Sequence, residues 1–255
     1  MKHTLRALRA EAGRYCLEMR RYLMDSVASA FIIILVLVMM LKGMDWAASG
    51  TAASTARLTI ASSYLAWVFA FRSIQAIALG VYDEVQKGTF EQLYLTPLGV
   101  VPVLLTRAAL EFVFTLGLVI LVYLAADALA GLGFGSGFGQ ALGYILAALP
   151  GVWGLGLALA GVVLIAKKSG SLLAIVSYAI IGLAAVPGLP LGLMSFLPYS
   201  AGASAARAAL AGSGGTPSWW PAFTLAVALG WLAFGFLVWK AAEARARRLS
   251  LFGQY

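Results

Sequence analysis

The chain has 255 residues, 62% of them hydrophobic and 11% charged, with a formal net charge of +8. Soluble domains carry about 25% charged residues, so this composition excludes a soluble enzyme, a disordered chain and a disulfide scaffold, and it predicts an all-α bundle of membrane-spanning helices. Cys16 and His3 are single in the chain, which excludes an intrachain disulfide, a Cys/His metal cluster and a histidine-based triad.

Residues 1–24 read as an amphipathic interfacial helix. At about 100° per residue, Leu5, Leu8, Ala12, Tyr15, Cys16 and Met19 share one face while Lys2, Arg6, Arg9, Arg20 and Arg21 lie off it. A helix packed on a soluble partner is the alternative. The first span is expected over 26–41, ended by Lys42, Asp45 and Trp46, with a loop over 47–55. The second covers 58–81 and holds Arg72 well inside it. A polar connection follows over 82–99. The third span, 101–126, tolerates Pro102 in its first turn and contains Arg107 and Glu111.

Asp127 and the glycines of 131–139 form a break, a flexible turn or a loose helix start. They follow no strand and lack dinucleotide-binding spacing. The fourth span is expected over 140–166, kinked at Pro150, with Gly143, Ala147 and Gly151 forming a small-residue seam. Lys167 and Lys168 mark a turn before the fifth span, 171–186. Three prolines then open an outer re-entrant or short-helix region over 187–219, with a helix near 200–210 and Trp219 and Trp220 in an interfacial belt. The sixth span, 221–239, leaves Lys240, Arg245, Arg247 and Arg248 in a tail.

Charge orients this layout. With both termini inside, the inner segments hold thirteen basic residues and the outer ones only Lys42, Arg57 and Arg207. That bias predicts a multi-pass protein of a bacterial cytoplasmic membrane with both ends in the cytoplasm.

The connection after the second span carries the strongest signal. Gly88 interrupts a helical pattern, Thr89 and Gln92 have capping-box spacing, and Pro97 stops the new helix after about two turns. If the helix runs through Gly88, Asp83, Glu84, Lys87 and Glu91 share one side, giving a stiff acidic element able to pass a push from a soluble partner to two spans. A solvated connector is the bland alternative. The run Glu84-x-x-Lys87-Gly88-Thr89-Phe90-Glu91-Gln92-Leu93, followed by Thr96-Pro97, resembles the Glu-x-x-x-Gly-Thr-Leu-Glu-x-Leu…Pro signature of type-2 ATP-binding-cassette (ABC) exporter permeases, with Phe90 in place of the leucine.

The resemblance implies an amino-terminal amphipathic helix, six spans, a coupling helix between spans two and three, and short outer helices before the last span. It also implies that the coupling segment seats on a cytoplasmic nucleotide-binding subunit, a role it carries to Glu84, Gly88, Thr89, Glu91 and Pro97, with the carboxylates of Glu84 and Glu91 offered to basic groups there; Asp83 and Lys87 join the candidate contact set from their place on the same helix side. ATP and Mg would sit on that ATPase, not on this chain. No Gly-x-x-x-x-Gly-Lys-Ser/Thr loop is present: the nearest string, Gly161 to Ser169, has Ala166 where the second glycine belongs. The chain is therefore expected to be a permease without its own catalytic site. Its partners would be the ATPase, membrane lipid and a second permease, identical (a homodimer) or related, and no nucleic acid; spans one and five, comparatively short and with small residues over 171–182, are the expected dimer contact. The cargo would be hydrophobic or amphipathic: a drug-like molecule, a lipid or a lipid-linked glycan.

Arg72, Arg107 and Glu111 are costly in hydrocarbon and must face protein or water. Arg107 and Glu111, four apart, share a helix face, and Arg72 reaches Glu111 if their depths match. They form either a buried structural cluster or a pathway lining for an anionic or zwitterionic headgroup. Tyr64, Trp67, Phe69, Phe71, Tyr123, Trp153 and Tyr178 line such a pathway or serve as packing. Two other function classes fit the composition: an ion- or proton-coupled secondary transporter, which lacks the uncompensated mid-span acid it needs, and a non-transporting scaffold that docks a partner on the acidic loop. An intramembrane hydrolase would need a histidine or an aspartate pair that no span supplies.

Overall fold

A computed structural model describes residues 2–21, 23–47, 51–96, 99–130, 137–166, 170–212 and 215–248. In chain order the helices are α1 (Lys2–Arg21), α2 (Leu23–Ala47), α3 (Thr51–Ile74), α4 (Gly80–Gln86), α5 (Phe90–Tyr94), α6 (Val100–Ala130), α7 (Gly137–Ile165), α8 (Gly170–Ala185), α9 (Ser200–Leu210) and α10 (Trp220–Arg248). One π-helical turn, Gln75–Leu79, joins α3 to α4 without a break, and a 3₁₀ turn, Leu193–Phe196, precedes α9. Among the described residues no strand occurs.

Among the described residues, five helical stretches are long and apolar enough to cross a membrane: Val27–Met44, Ala56–Gln86, Val100–Val122, Gly137–Ile165 and Trp220–Arg248. The chain is thus an all-α protein of multi-pass membrane type. The expected fifth span, 171–186, corresponds to α8, whose 16 residues reach about 24 Å at 1.5 Å per residue, short of the roughly 30 Å hydrocarbon core.

Several boundaries differ from the sequence reading, for one physical reason: polar residues on one face of a packed helix do not end it. The second span continues through Tyr82 to Gln86, absorbing the first residues of the expected connection. The third runs past Asp127 to Ala130, and the last runs through the basic tail to Arg248, where Glu243 pairs with Lys240 at 3.3 Å and Arg247 at 2.8 Å along the helix. The expected loop 47–55 is mostly helical, since α2 ends at Ala47 and α3 begins at Thr51. Pro150 sits inside the unbroken α7. Pro97, Lys167 and Lys168, and the glycine run over 131–136 lie outside the described residues.

Helices α3 and α7 form the centre. α10 and α9 pack on α7, and α2, α6 and α8 surround α3, while α1 lies against α6. The α7–α10 contact is made by glycine, and of the predicted seam Gly151 takes part in it while Gly143 does not. Gly143 is exposed and meets nothing, whereas Gly151 lies against Ala228, Gly154 against the Trp231 backbone, and Gly161 against Ala242. Without a hydrophobic force between helices in lipid, such backbone approach is what holds a pair together.

The outer region folds inward. α9 is an Ala/Ser/Gly-rich helix buried along most of its length, with Gly202 pressed on Ala148 and the Tyr144 carbonyl. The Tyr199 hydroxyl before it donates to the Ala66 carbonyl at 2.7 Å, deep in α3. Arg207 donates to the carbonyls of Ala184 and Val186, satisfying the free end of α8. Trp220 is 1% exposed and donates to the Ala201 carbonyl at 3.1 Å, so it pins α9 to α10 and does not stand in an interfacial belt; Trp219 remains half exposed.

Candidate functional site

The three intramembrane charges converge as part of a larger cluster at the end of the bundle that carries α5. Arg72 Nη1 lies 3.3 Å from Glu111 Oε1, so the two spans do match in depth. Arg107 Nη1 donates to Glu84 Oε1 at 3.1 Å. Neither carboxylate is served from α6 and the α3–α4 rod alone. From α1, Arg14 Nη2 lies 3.6 Å from Glu84 Oε1, and the Tyr15 hydroxyl donates to Glu111 Oε2 at 2.5 Å. Two acid-centred clusters, one on Glu84 and one on Glu111, therefore each tie together α1, the α3–α4 rod and α6.

Between them lies a cavity of about 520 Å³. Its wall carries the two clusters, with Gln75, Ala76 and Leu79 of the π-helical turn along one side and Asp83 and Lys87 at the rim. A π turn is wider than an α turn and is frequent at functional sites; here it brings Gln75, Ala76 and Leu79 onto one wall. Burial and then the Glu111 hydrogen bond push the Tyr15 hydroxyl well above the ordinary phenol range, so it remains a donor.

The α4–α5 connection is bent, not continuous. Gly88 adopts φ 68°, a left-handed geometry that favours glycine, and the helix direction changes there. This separates the residues expected on one acidic face. Asp83, Lys87 and Glu91 are exposed, while Glu84 is 8% exposed and turned inward. The expectation that Glu84 offers its carboxylate outward fails, because that carboxylate is held by Arg107, Arg14 and Thr89 within the chain. The capping box also fails. Thr89 occupies the cap position of α5, but its hydroxyl makes no cap bond and donates instead to Glu84 Oε2. The hydroxyl is turned to the carboxylate in a charge-assisted bond, and in that orientation its oxygen takes no N–H of α5.

α5 is short and two-faced. Phe90 and Leu93 are buried, with the Phe90 ring 6.5 Å from Trp239 of α10. Glu91 and Gln92 face outward, and Leu95 is 85% exposed.

Of the predicted set, the structure brings together Glu84, Thr89, Arg72, Arg107 and Glu111, leaves Asp83, Lys87, Gly88 and Glu91 at the surface, and does not describe Pro97. Sequence reasoning missed Arg14, Tyr15 and Gln75 as site members. A phenol on the apolar face of an interfacial helix needs a partner for its hydroxyl, and Gln75 is a polar side chain three residues from Arg72 in an apolar run. Both were available as signals; Arg14 was not, being one of many basic residues on α1.

Among the aromatics, Tyr64, Trp67 and Phe71 line a separate groove between α2 and α3, whereas Phe69 is core, stacked on Phe112 at 5.3 Å. Tyr178 lies 6.2 Å from Phe71 and Trp153 is half buried in α7. The Tyr123 side chain lies outside the described ones. No protein-family model and no curated protein matches the chain.

Proposed function

We propose that the chain is the transmembrane subunit of an ABC exporter, moving a hydrophobic or amphipathic cargo out of the cytoplasm at the expense of ATP hydrolysed by a separate subunit. The observation that carries this reading is α5: a five-residue helix held from behind by Phe90 and Leu93, with Glu91, Gln92 and Leu95 facing outward. The residue just before it is wired to the cavity. Thr89 is bonded to Glu84, and Glu84 to Arg107 of α6 and Arg14 of α1. A partner that displaces α5 would therefore shift the acid that holds three elements around the cavity. This supports a coupling role better than a mere connector, which needs no such wiring.

In this reading the coupling end faces the cytoplasm, both termini lie there, and α8 makes a sixth, short crossing in locally thinned bilayer. A reporter fused after Tyr255 is expected to be active only in its cytoplasmic form. Dimerisation through α2 and α8 is supported by the apolar side chains both turn outward, Phe31, Met39, Ile175 and Ile181 among them.

The test is Glu91→Lys against Glu91→Gln, each reconstituted with the ATPase. Glu91 is exposed and makes no fold contact the change would break, so insertion should survive. Loss of a charge-assisted contact at an interface costs about 2–5 kcal/mol, and the lysine adds repulsion. Subunit association is expected to weaken by at least about tenfold for Glu91→Lys and less for Glu91→Gln. Unchanged association and unchanged substrate-stimulated hydrolysis for Glu91→Lys would reduce α5 to a connector.

A further inference from the structure

The charged cavity is continuous in its lining with a second, apolar volume. A groove of about 290 Å³ runs between α2 and α3, walled by Ile32 and Val36 on one side and Tyr64, Trp67 and Phe71 on the other. The Tyr64–Trp67 and Trp67–Phe71 ring centroids stand 5.5 and 5.1 Å apart, making an aromatic wall along α3. Arg72 and Gln75 line both volumes. The groove ends where the cavity begins, at a guanidinium and an amide.

Two donors at this junction lack an acceptor among the described residues: Trp67 Nε1 and Arg72 Nη2, both buried atoms. Buried N–H groups are almost always paired, and an unpaired one calls for an explanation. Arg72 has spent Nη1 on Glu111 and keeps a second nitrogen for another oxygen. The charge around it favours an anion. Arg14, Arg72, Lys87 and Arg107 face the cavity against Asp83, Glu84 and Glu111, one positive charge in excess; Glu84 is held by Arg107 and Arg14, and Glu111 pairs with Arg72 and accepts from Tyr15 on Oε2, its Oε1 taking no hydrogen bond among the described residues. On the α2 side the groove is walled by a helix only 11% buried, most of whose side chains face the bilayer, so the hydrocarbon phase lies one helix away.

We propose that this pair of volumes is a binding site for a phosphate-bearing, single-chain amphiphile. The headgroup sits in the charged cavity against Arg72 Nη2 and Gln75. The hydrocarbon chain lies in the α2–α3 groove along Trp67 and Phe71, with an oxygen near the headgroup accepting from Trp67 Nε1. The proposal names a cargo class for the exporter reading and rests on it for the word cargo; the binding site itself needs neither an ATPase nor transport, so its test stands apart.

The protein is placed in nanodiscs of neutral phosphatidylcholine and titrated with brominated lysophosphatidic acid, brominated monoacylglycerol and inorganic phosphate, following tryptophan quenching. Lysophosphatidic acid is expected to act at a concentration at least about tenfold lower than monoacylglycerol, the scale of one charge-assisted hydrogen bond. Arg72→Gln should erase that preference and Arg72→Lys should keep most of it. Trp67→Phe should remove the largest share of the quenching, which places the chain in the groove without disturbing the ion clusters. Equal action of the charged and neutral lipids, or quenching untouched by Trp67→Phe, overturns the proposal. Displacement of the bound lipid by millimolar inorganic phosphate alone would overturn it too, making the cavity a site for the free anion. A protein that fails to bind any ATPase yet passes this titration leaves the site standing and removes only the exporter reading.

Discussion

Glu84→Ala is expected to destabilise the detergent-solubilised protein by about 3–5 kcal/mol, the range for removing one partner of a buried ion pair. Glu84 is 8% exposed and accepts from Arg107 and Thr89, with Arg14 beside it. Its loss leaves the Arg107 guanidinium, itself largely buried, facing a low-dielectric wall with its carboxylate gone, and it frees the start of α5. Arg14 is half exposed and loses little, because solvent screens it. Glu84→Gln keeps an acceptor for Thr89 but not the charge, and should fall between. Replacing both ends, Glu84→Leu with Arg107→Leu, should recover most of the loss, since paired removal strands no charge. Equilibrium unfolding by SDS titration reads all four. A single-variant loss under about 1 kcal/mol would mean the pair is solvated through the cavity and contributes as a surface bridge does.

Gly235→Val is expected to cost about 3 kcal/mol, the upper part of the usual range for overpacking. A Cβ at Gly235 would meet the Gly154 carbonyl, and one at Gly154 the Trp231 carbonyl; both obstacles are backbone and cannot swing aside. The two helices must separate, which loosens the Gly151–Ala228 and Gly161–Ala242 contacts on either side. Gly230→Ala is the control. It lies on the same helix with nothing within 4 Å of the added methyl, and alanine's better helix propensity should make it neutral or stabilising by up to about 1 kcal/mol. The same SDS titration compares them, and equal stability of the two variants would refute a glycine-mediated α7–α10 contact.

Apolar run length alone carried the helical class, the membrane character and the approximate position of every long helix, because burial in lipid demands about 20 consecutive apolar residues and internally paired backbone. The bend at Gly88 and the short α9 at 200–210 were legible for similar local reasons: a glycine among helix formers, and an Ala/Ser run between breaks. The approach of Arg72 to Glu111, conditional in the sequence on matching depths, occurs at 3.3 Å, whereas Arg107, which i, i+4 spacing set beside Glu111, donates to Glu84.

What only the tertiary structure decided is which partner each polar group takes. Glu84 looked like an outward carboxylate because its own helix gives it no reason to turn in; the reason comes from Arg107, 23 residues on, and from α1. Thr89 has the spacing of a cap, but its hydroxyl is turned to the Glu84 carboxylate and away from the α5 backbone. Tyr15 and Arg14 became site residues only because α1 lies across α6, a docking that no local pattern in 1–24 encodes. Gly154 and Gly235 became the helix contact, and Gly143 did not, because close approach is a property of two faces at once. Hydrophobic spacing is written along one strand of sequence, whereas ion pairs and backbone crossings depend on the relative placement of segments far apart in it.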